Sequence, residues 1–220
     1  LSNEARSIET KITVADPTAL GVFGLAMVTL VASSQKLGWT TGVSGIFPWA
    51  IFLGALAQFI AGMYDFKKNN YFGATVLTTY GLFWFGVATS WAITLGWMGP
   101  EFKASFSGAQ LGWAFLGYGV FSFFIMIASF ETNKVFAAIL VLINVLFASL
   151  ALTAFQVVDL HLVAGWSEFS ISMLGFYGCG AIFLNTFFGR VVLPIGAPLG
   201  LIRKGPALSE AARPRTRQAS

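Results

Sequence analysis

Charged residues divide this chain into long apolar stretches. Charge-free runs cover 17–35, 37–64, 69–100, 104–130, 135–158 and 169–189, and the shortest has 19 residues. About 20 largely apolar residues cross about 30 Å of hydrocarbon at a helical rise of about 1.5 Å per residue. The pattern therefore predicts an all-α integral membrane fold of six transmembrane helices in one bundle. The membrane unit runs from 16 to 189, between an N-terminal segment 1–15 and a C-terminal segment 190–220. The stretch 191–202 is too short to cross and holds Pro194 and Pro198, so it reads as a cap or interfacial segment. The final SEAARPRTRQAS has few apolar residues, and the chain is expected to be disordered after 205.

Composition agrees with the pattern. Of 220 residues, 10% are charged and 56% hydrophobic, with a mean hydropathy of +0.76; an average soluble domain has about 25% charged residues. Basic residues fall unevenly between alternate loops. Arg6, Lys11, Lys67, Lys68, Lys134 and the six basic residues from Arg190 onward lie on one side, eleven in all, against Lys36 and Lys103 on the other. By the positive-inside rule both termini are cytoplasmic. The net charge of +4 is thus a matter of membrane orientation, and with no base-stacking platform beside it nucleic acid is not an expected partner. Trp39, Trp49, Trp97, Trp113 and Trp166 all fall near expected outer helix ends, where an indole favours the headgroup zone. The opening segment mixes acidic and basic residues and lacks the basic-then-apolar order of a cleaved signal peptide.

The candidate chemistry is sparse. One Cys and one His exclude multi-ligand metal sites, haem, iron–sulfur clusters and disulfides, so no metal or cofactor is expected. Neither GxSxG nor HExxH occurs, and an enzyme is not expected. Gln58 and Asp65 lie seven apart on one face of helix 2; Thr79 on helix 3 and Asn144 on helix 5 add to a sparsely polar path. Each of these also suits plain interhelical hydrogen bonding. No Lys or Arg falls within any of the six runs. A multivalent anion would therefore find no fixed charge at mid-depth, whereas a small carboxylic acid would need only N–H groups, hydroxyls or passage as the neutral acid. Asp65, His161 and Glu168 are the candidate proton-sensitive groups, the last two beside the fifth loop, where a solvated loop anchored on Trp166 is the alternative reading.

At the entrance to helix 1 stand Asp16, Pro17, Thr18, Ala19, Leu20 and Gly21, a sound helix start with an aspartate able to cap N–H groups. This string resembles the N-P-x-P-x-G signature of the acetate uptake transporter family, which includes YaaH-type succinate-acetate permeases. AQFIAGMYDFKKNN at 57–70, FGATVLTTYGLFWFG at 72–86, HLVAGW at 161–166 and FGRVVLPIG at 188–196 resemble its other landmarks in the same order. Asp16 replaces the usual Asn and Ala19 the second Pro, which leaves Asp16 a role in capping or proton exchange. The resemblance implies a protomer of a homo-hexamer in the cytoplasmic (inner) membrane, each protomer with its own path for acetate, other small monocarboxylates or succinate, as channel or proton-coupled carrier. It also implies a hydrophobic constriction at the positions of Leu25, Tyr80 and Ile143, with Leu25 in place of a frequent Phe. Two other readings share the same design: a membrane sensor or scaffold that binds a carboxylate, and a channel for a neutral solute such as urea or ammonia.

Overall fold

The computed structural model describes residues 14–202 and 205; the expectations for the rest of both terminal segments lie outside the described residues. Among the described residues six helices are long and apolar enough to cross a membrane: α1 (Thr18–Lys36), α2 (Phe47–Lys67), α3 (Tyr71–Thr94), α4 (Gly108–Ser129), α5 (Lys134–Ala154) and α6 (His161–Phe188). No strand occurs among the described residues. Each charge-free run holds the greater part of one helix, and the largest departure toward a charged residue is at the last. The last run begins at 169, whereas α6 already begins at His161 and carries Glu168 into the bundle. A carboxylate can be accommodated there because it has a cationic partner, described below.

Local chemistry sets the ends. Asn70 accepts the Gly73 N–H at the start of α3, and Asn133 accepts the Phe136 N–H at the start of α5. Gly189 ends α6 in the left-handed region with φ 62°. Within α2 the stretch Ala50–Ala57 is a π-helix, whose wider turn sets the Ala55 carbonyl and the Phe59 N–H against Gly81 of α3.

The six helices close into a ring. α1 packs between α6 and α2, α2 against α3, α4 against α5, and α5 against α6. The α1–α6 seam is close because Gly175 faces Ala26 and the Ser172 hydroxyl donates to the Ala26 carbonyl over 2.8 Å. α3 meets α4 through long side chains: the Tyr80 and Ser122 hydroxyls share a 2.8 Å hydrogen bond, and the Phe83 and Tyr118 rings lie 4.9 Å apart. The ring encloses Val76, Tyr80, Ile139, Ile143, Phe147 and Ile171, all buried.

One end of the bundle gathers Trp39, Trp49, Trp97, Trp113 and Trp166, each 44–67% exposed, with Trp39 against Trp166 at 6.1 Å and Phe47 against Trp97 at 4.8 Å. At the opposite end, the stretch 191–202 is non-helical and folds back as a strap. The Asn185 side chain accepts from the Val192 and Leu193 N–H groups, the Tyr177 hydroxyl donates to the Pro194 carbonyl, and the Leu199 N–H donates to the Phe130 carbonyl. This segment thus caps the loop between α4 and α5.

Two glycines of α3 separate packing from helix propensity. A Cβ on Gly81 would lie 2.8 Å from both the Ala55 carbonyl oxygen and the Phe59 nitrogen, backbone atoms that cannot swing aside, whereas a Cβ on Gly86 would meet nothing within 4 Å. Gly81→Ala is expected to destabilise the bundle by about 1–3 kcal/mol, and Gly86→Ala to be neutral or stabilising by up to about 1 kcal/mol. Unfolding midpoints of the two variants in the same detergent check this.

Candidate functional site

Three chambers follow one another along the interior of the ring. The first, about 80 Å³, opens at the end where α1 begins and is lined by Thr18, Val22, Gln58, Asn70, Gly73 and Phe136 among others. The second, about 20 Å³, lies at mid-depth among Thr29, Phe83, Trp84, Leu146, Phe147 and Ile171. The third, about 170 Å³, lies toward the tryptophan end, with Gln35, Lys36, Ser90, Trp91, His161 and Glu168 in its wall. A water molecule needs about 10–15 Å³ of such space, so the middle chamber has room for one or two waters.

Shared walls locate the constrictions. Leu25, Tyr80 and Ile143 line both the first and the second chamber, so these side chains stand between the two. They come from α1, α3 and α5, three helices of the ring, and Tyr80 and Ile143 are 3% and 4% exposed. Phe83 and Trp84 line both the second and the third chamber and form a further waist. Sequence reasoning missed this second waist, although Phe83 and Trp84 follow Tyr80 by one helical turn in the string YGLFWFG. Phe83 is clasped by Tyr118, Phe147 and Phe115, with centroids at 4.9, 5.1 and 6.2 Å.

The polar groups differ from chamber to chamber. Gln58 is fully buried, donates through Nε2 to the Gly54 carbonyl over 2.8 Å, and has no partner for Oε1 among the described residues. The N-terminal turn of α3, with its positive dipole end, borders the same chamber at Asn70, Phe72 and Gly73. In the middle chamber the Thr29 hydroxyl is committed to the Leu25 carbonyl at 2.8 Å and the Tyr80 hydroxyl to Ser122, leaving an apolar lining. In the third, Lys36 Nζ and Glu168 Oε2 lie 2.9 Å apart, their side chains 11% and 3% exposed. His161 stands beside them at the start of α6, half exposed, with Nδ1 3.7 Å from Asp159 Oδ1.

Several expected site residues lie elsewhere. Asn144 does not face the path: its Nδ2 donates to the Ser122 and Leu140 carbonyls, and it borders a groove between α4 and α5 on the bundle exterior. Thr79 lines none of the three chambers, and its carbonyl accepts from the Tyr118 hydroxyl. Both hold helices together. Leu20 points outward at 45% exposure, and Gly21 serves the contact of α1 with Leu77 and Ala61. Asp65 is fully buried behind the wall of the first chamber, against Gly73, with neither carboxylate oxygen hydrogen-bonded among the described residues. No Lys or Arg lines the first or the middle chamber among the described residues, but Lys36, in the break between the first two runs, ends α1 and lines the third chamber.

At the first mouth, Pro17 precedes α1 and Asp16 accepts the Thr18 N–H over 2.9 Å while pairing with Lys68 Nζ at 3.0 Å. Partial burial pushes the Asp16 carboxyl upward, but the hydrogen bonds from Thr18 and Lys68 outweigh it and hold the group below its ordinary value of 3.8.

Comparison with known proteins adds a second line of information. The profile of the GPR1/FUN34/yaaH family matches residues 3–195. The succinate-acetate/proton symporter SatP of Escherichia coli strain K12 is 32% identical over 185 residues, which cover 83% of this chain and 96% of that protein. The ammonia transport outward protein 2 of Saccharomyces cerevisiae is 31% identical over 147 residues, 64% of this chain and 51% of its own length. Among solved structures, the bacterial acetate channel SatP matches with a TM-score of 0.77 and 29% identity over 84% of this chain and 100% of that one.

The depressed Asp16 carboxyl has a stability consequence whose sign is fixed. A carboxylate with a lowered folded value stabilises the fold above the unfolded value of 3.8 and loses that contribution as pH falls through the folded one. Asp16→Asn is therefore expected to lower the unfolding midpoint slightly at pH 7, Asp16 being an exposed residue. The difference from the parent protein should shrink once pH drops below 3.8 and vanish below the depressed value; thermal melts across that range measure it.

Proposed function

The chain belongs to the GPR1/FUN34/yaaH family, and from that premise we propose that it moves acetate and related small monocarboxylates, with succinate a further candidate, across the cytoplasmic membrane along the three-chamber path of each protomer. The observation that carries this reading is the placing of Leu25, Tyr80 and Ile143 together at the boundary between the first two chambers. An apolar neck leading into a small apolar chamber favours a short aliphatic body over a long or heavily hydrated one.

Magnitudes favour the neutral acid at the neck. Protonating a carboxylate of ordinary pKa near 4.3 at pH 7 costs about 3.7 kcal/mol. Stripping the ionised form of water in a low-dielectric interior costs several kcal/mol even after relaxation, and about 20 in the idealised limit. Gln58 suits the neutral form: its free Oε1 accepts from a carboxylic O–H, and the second N–H of Nε2 donates to the carbonyl oxygen. Protonation on entry makes net transfer acid-linked, whether the path acts as a channel or as a proton-coupled carrier. Asp65, His161 and Glu168 are the candidate groups for that proton. Asp16 and Pro17, just before Thr18 in the wall of the first chamber, stand at the first mouth, which in the proposed orientation faces the cytoplasm together with both termini. The apolar outer faces of α4 and α6, with Trp113, Phe123, Phe124, Phe183 and Phe187 exposed, are left for lipid and for neighbouring protomers of a homo-hexamer.

Uptake of labelled acetate into proteoliposomes tests the proposal, with empty vesicles subtracting passive acid leak and with succinate and ammonium as competitors. Acetate flux above leak, stimulated by an inward proton gradient, is the expected result. Flux of ammonium alone would replace this reading with one closer to the Saccharomyces relative, and binding without flux would point to a sensor. Leu25→Phe should narrow the neck and reduce acetate flux about tenfold, the scale on which apolar pockets discriminate added bulk. Tyr80→Ala should widen it and admit longer monocarboxylates that the parent protein excludes.

A further inference from the structure

Lys36 is the one Lys or Arg that lines the three chambers among the described residues. Its ammonium donates to Glu168 Oε2 at 2.9 Å and to no other acceptor among the described residues. An ammonium carries three N–H groups, so two remain for whatever enters a chamber of about 170 Å³. The group already seated on it is a carboxylate on a methylene, the same head as a small monocarboxylate. The third chamber therefore displays a carboxylate bound to its cation, with the carboxylate tethered to α6.

We propose that Lys36 forms a carboxylate-binding site in the third chamber and that Glu168 is its resident occupant, a tethered competitor for an incoming small monocarboxylate. This deepens the transport reading and rests on it for the identity of the acid. A short tether gives a competing group an effective concentration in the millimolar range or above, so the free acid occupies the site only weakly and leaves readily, as conduction requires. The seam between α1 and α6 does not depend on the ion pair, because Ser172, Gly175 and Ala26 already bring the helices together at mid-depth. A buried pair is often no more stabilising than packed apolar residues, so helix docking alone gives little reason for one here. Of the other charged groups on this side, His161 is at the chamber wall and Asp159 faces its ring; neither takes a hydrogen bond from Lys36.

The test is acetate binding, read as the rise in unfolding midpoint of the full chain in lipid nanodiscs on titration with sodium acetate against sodium chloride of equal ionic strength. Glu168→Gln keeps an acceptor for Lys36 and removes the competing charge. It should half-saturate at an acetate concentration at least threefold lower than the parent protein. Lys36→Gln alone strands a buried carboxylate and risks misfolding, so the second variant is the double change Lys36→Gln with Glu168→Gln, which should lose the acetate-specific shift. One titration curve shared by all three proteins, or a Glu168→Gln protein that folds normally and binds acetate no more tightly, would overturn the proposal. Failure of the transport reading looks different: proteoliposomes of the parent protein show no acetate flux while the nanodisc titrations still separate the variants.

Discussion

Hydrocarbon offers no hydrogen-bond partners, and that one constraint organises this molecule from its helices to its chambers. It forces the backbone into six self-satisfied helices and then acts on side chains one by one. Thr29 bonds the carbonyl of Leu25, Ser33 that of Leu30, Asn144 that of Leu140 and Ser149 that of Val145, each within its own helix. Such back-bonding removes polarity from a surface without needing a neighbour. What survives is a short set of uncommitted groups. Gln58, which lines the first chamber, keeps an unpartnered Oε1, the Thr78 hydroxyl and the Asp65 carboxylate lie buried without partners among the described residues, and Lys36, with donors to spare, lines the third.

The path inherits an asymmetry from this sorting. At one end a neutral amide and a helix N-terminus present dipoles; at the other an ion pair presents full charges; between them lies an apolar chamber. The two waists are built from different material as well. Leu25, Tyr80 and Ile143 come from three helices, with Tyr80 fixed by its hydrogen bond to Ser122, whereas Phe83 and Trp84 belong to one helix and are held by rings packed edge to face. Tyr80, in the first waist, and Phe83, in the second, also join α3 to α4, where the backbones stand further apart than elsewhere in the ring. Closing the ring and narrowing the path are thus one act of packing.

Sequence made the helices legible because charge is nearly intolerable in lipid, so the gaps between charges mark the spans. It made the first neck legible only through motif strings, since Leu25 and Ile143 look like any apolar residue of a buried helix. Thr79 and Asn144 show the converse failure. Both are polar and within a span, but helical position around the bundle decides whether a group meets the path or a neighbouring helix, and one chain without its packing does not reveal that. The pairing of Lys36 with Glu168 is hidden for another reason: the two sit in separate charge breaks 132 residues apart, and only the fold shows that the breaks meet. The Trp residues were more informative, because an indole reports depth irrespective of which neighbour it touches.

The meeting of Lys36 with Glu168 also explains how a cation comes to line a path whose spans are otherwise free of charge. A lone lysine in mid-membrane costs about 2.5–3.5 kcal/mol by insertion scales, and a lone buried carboxylate is no better placed. Brought together near the tryptophan end, each supplies the other's counter-charge, and the chamber keeps a charged group at no net charge. Such a pair is tolerated by the fold and yet open to competition by any small carboxylate that can reach it. Geometry therefore permits at one end what desolvation forbids at the centre: recognition of the anion itself, before the neck demands the neutral acid.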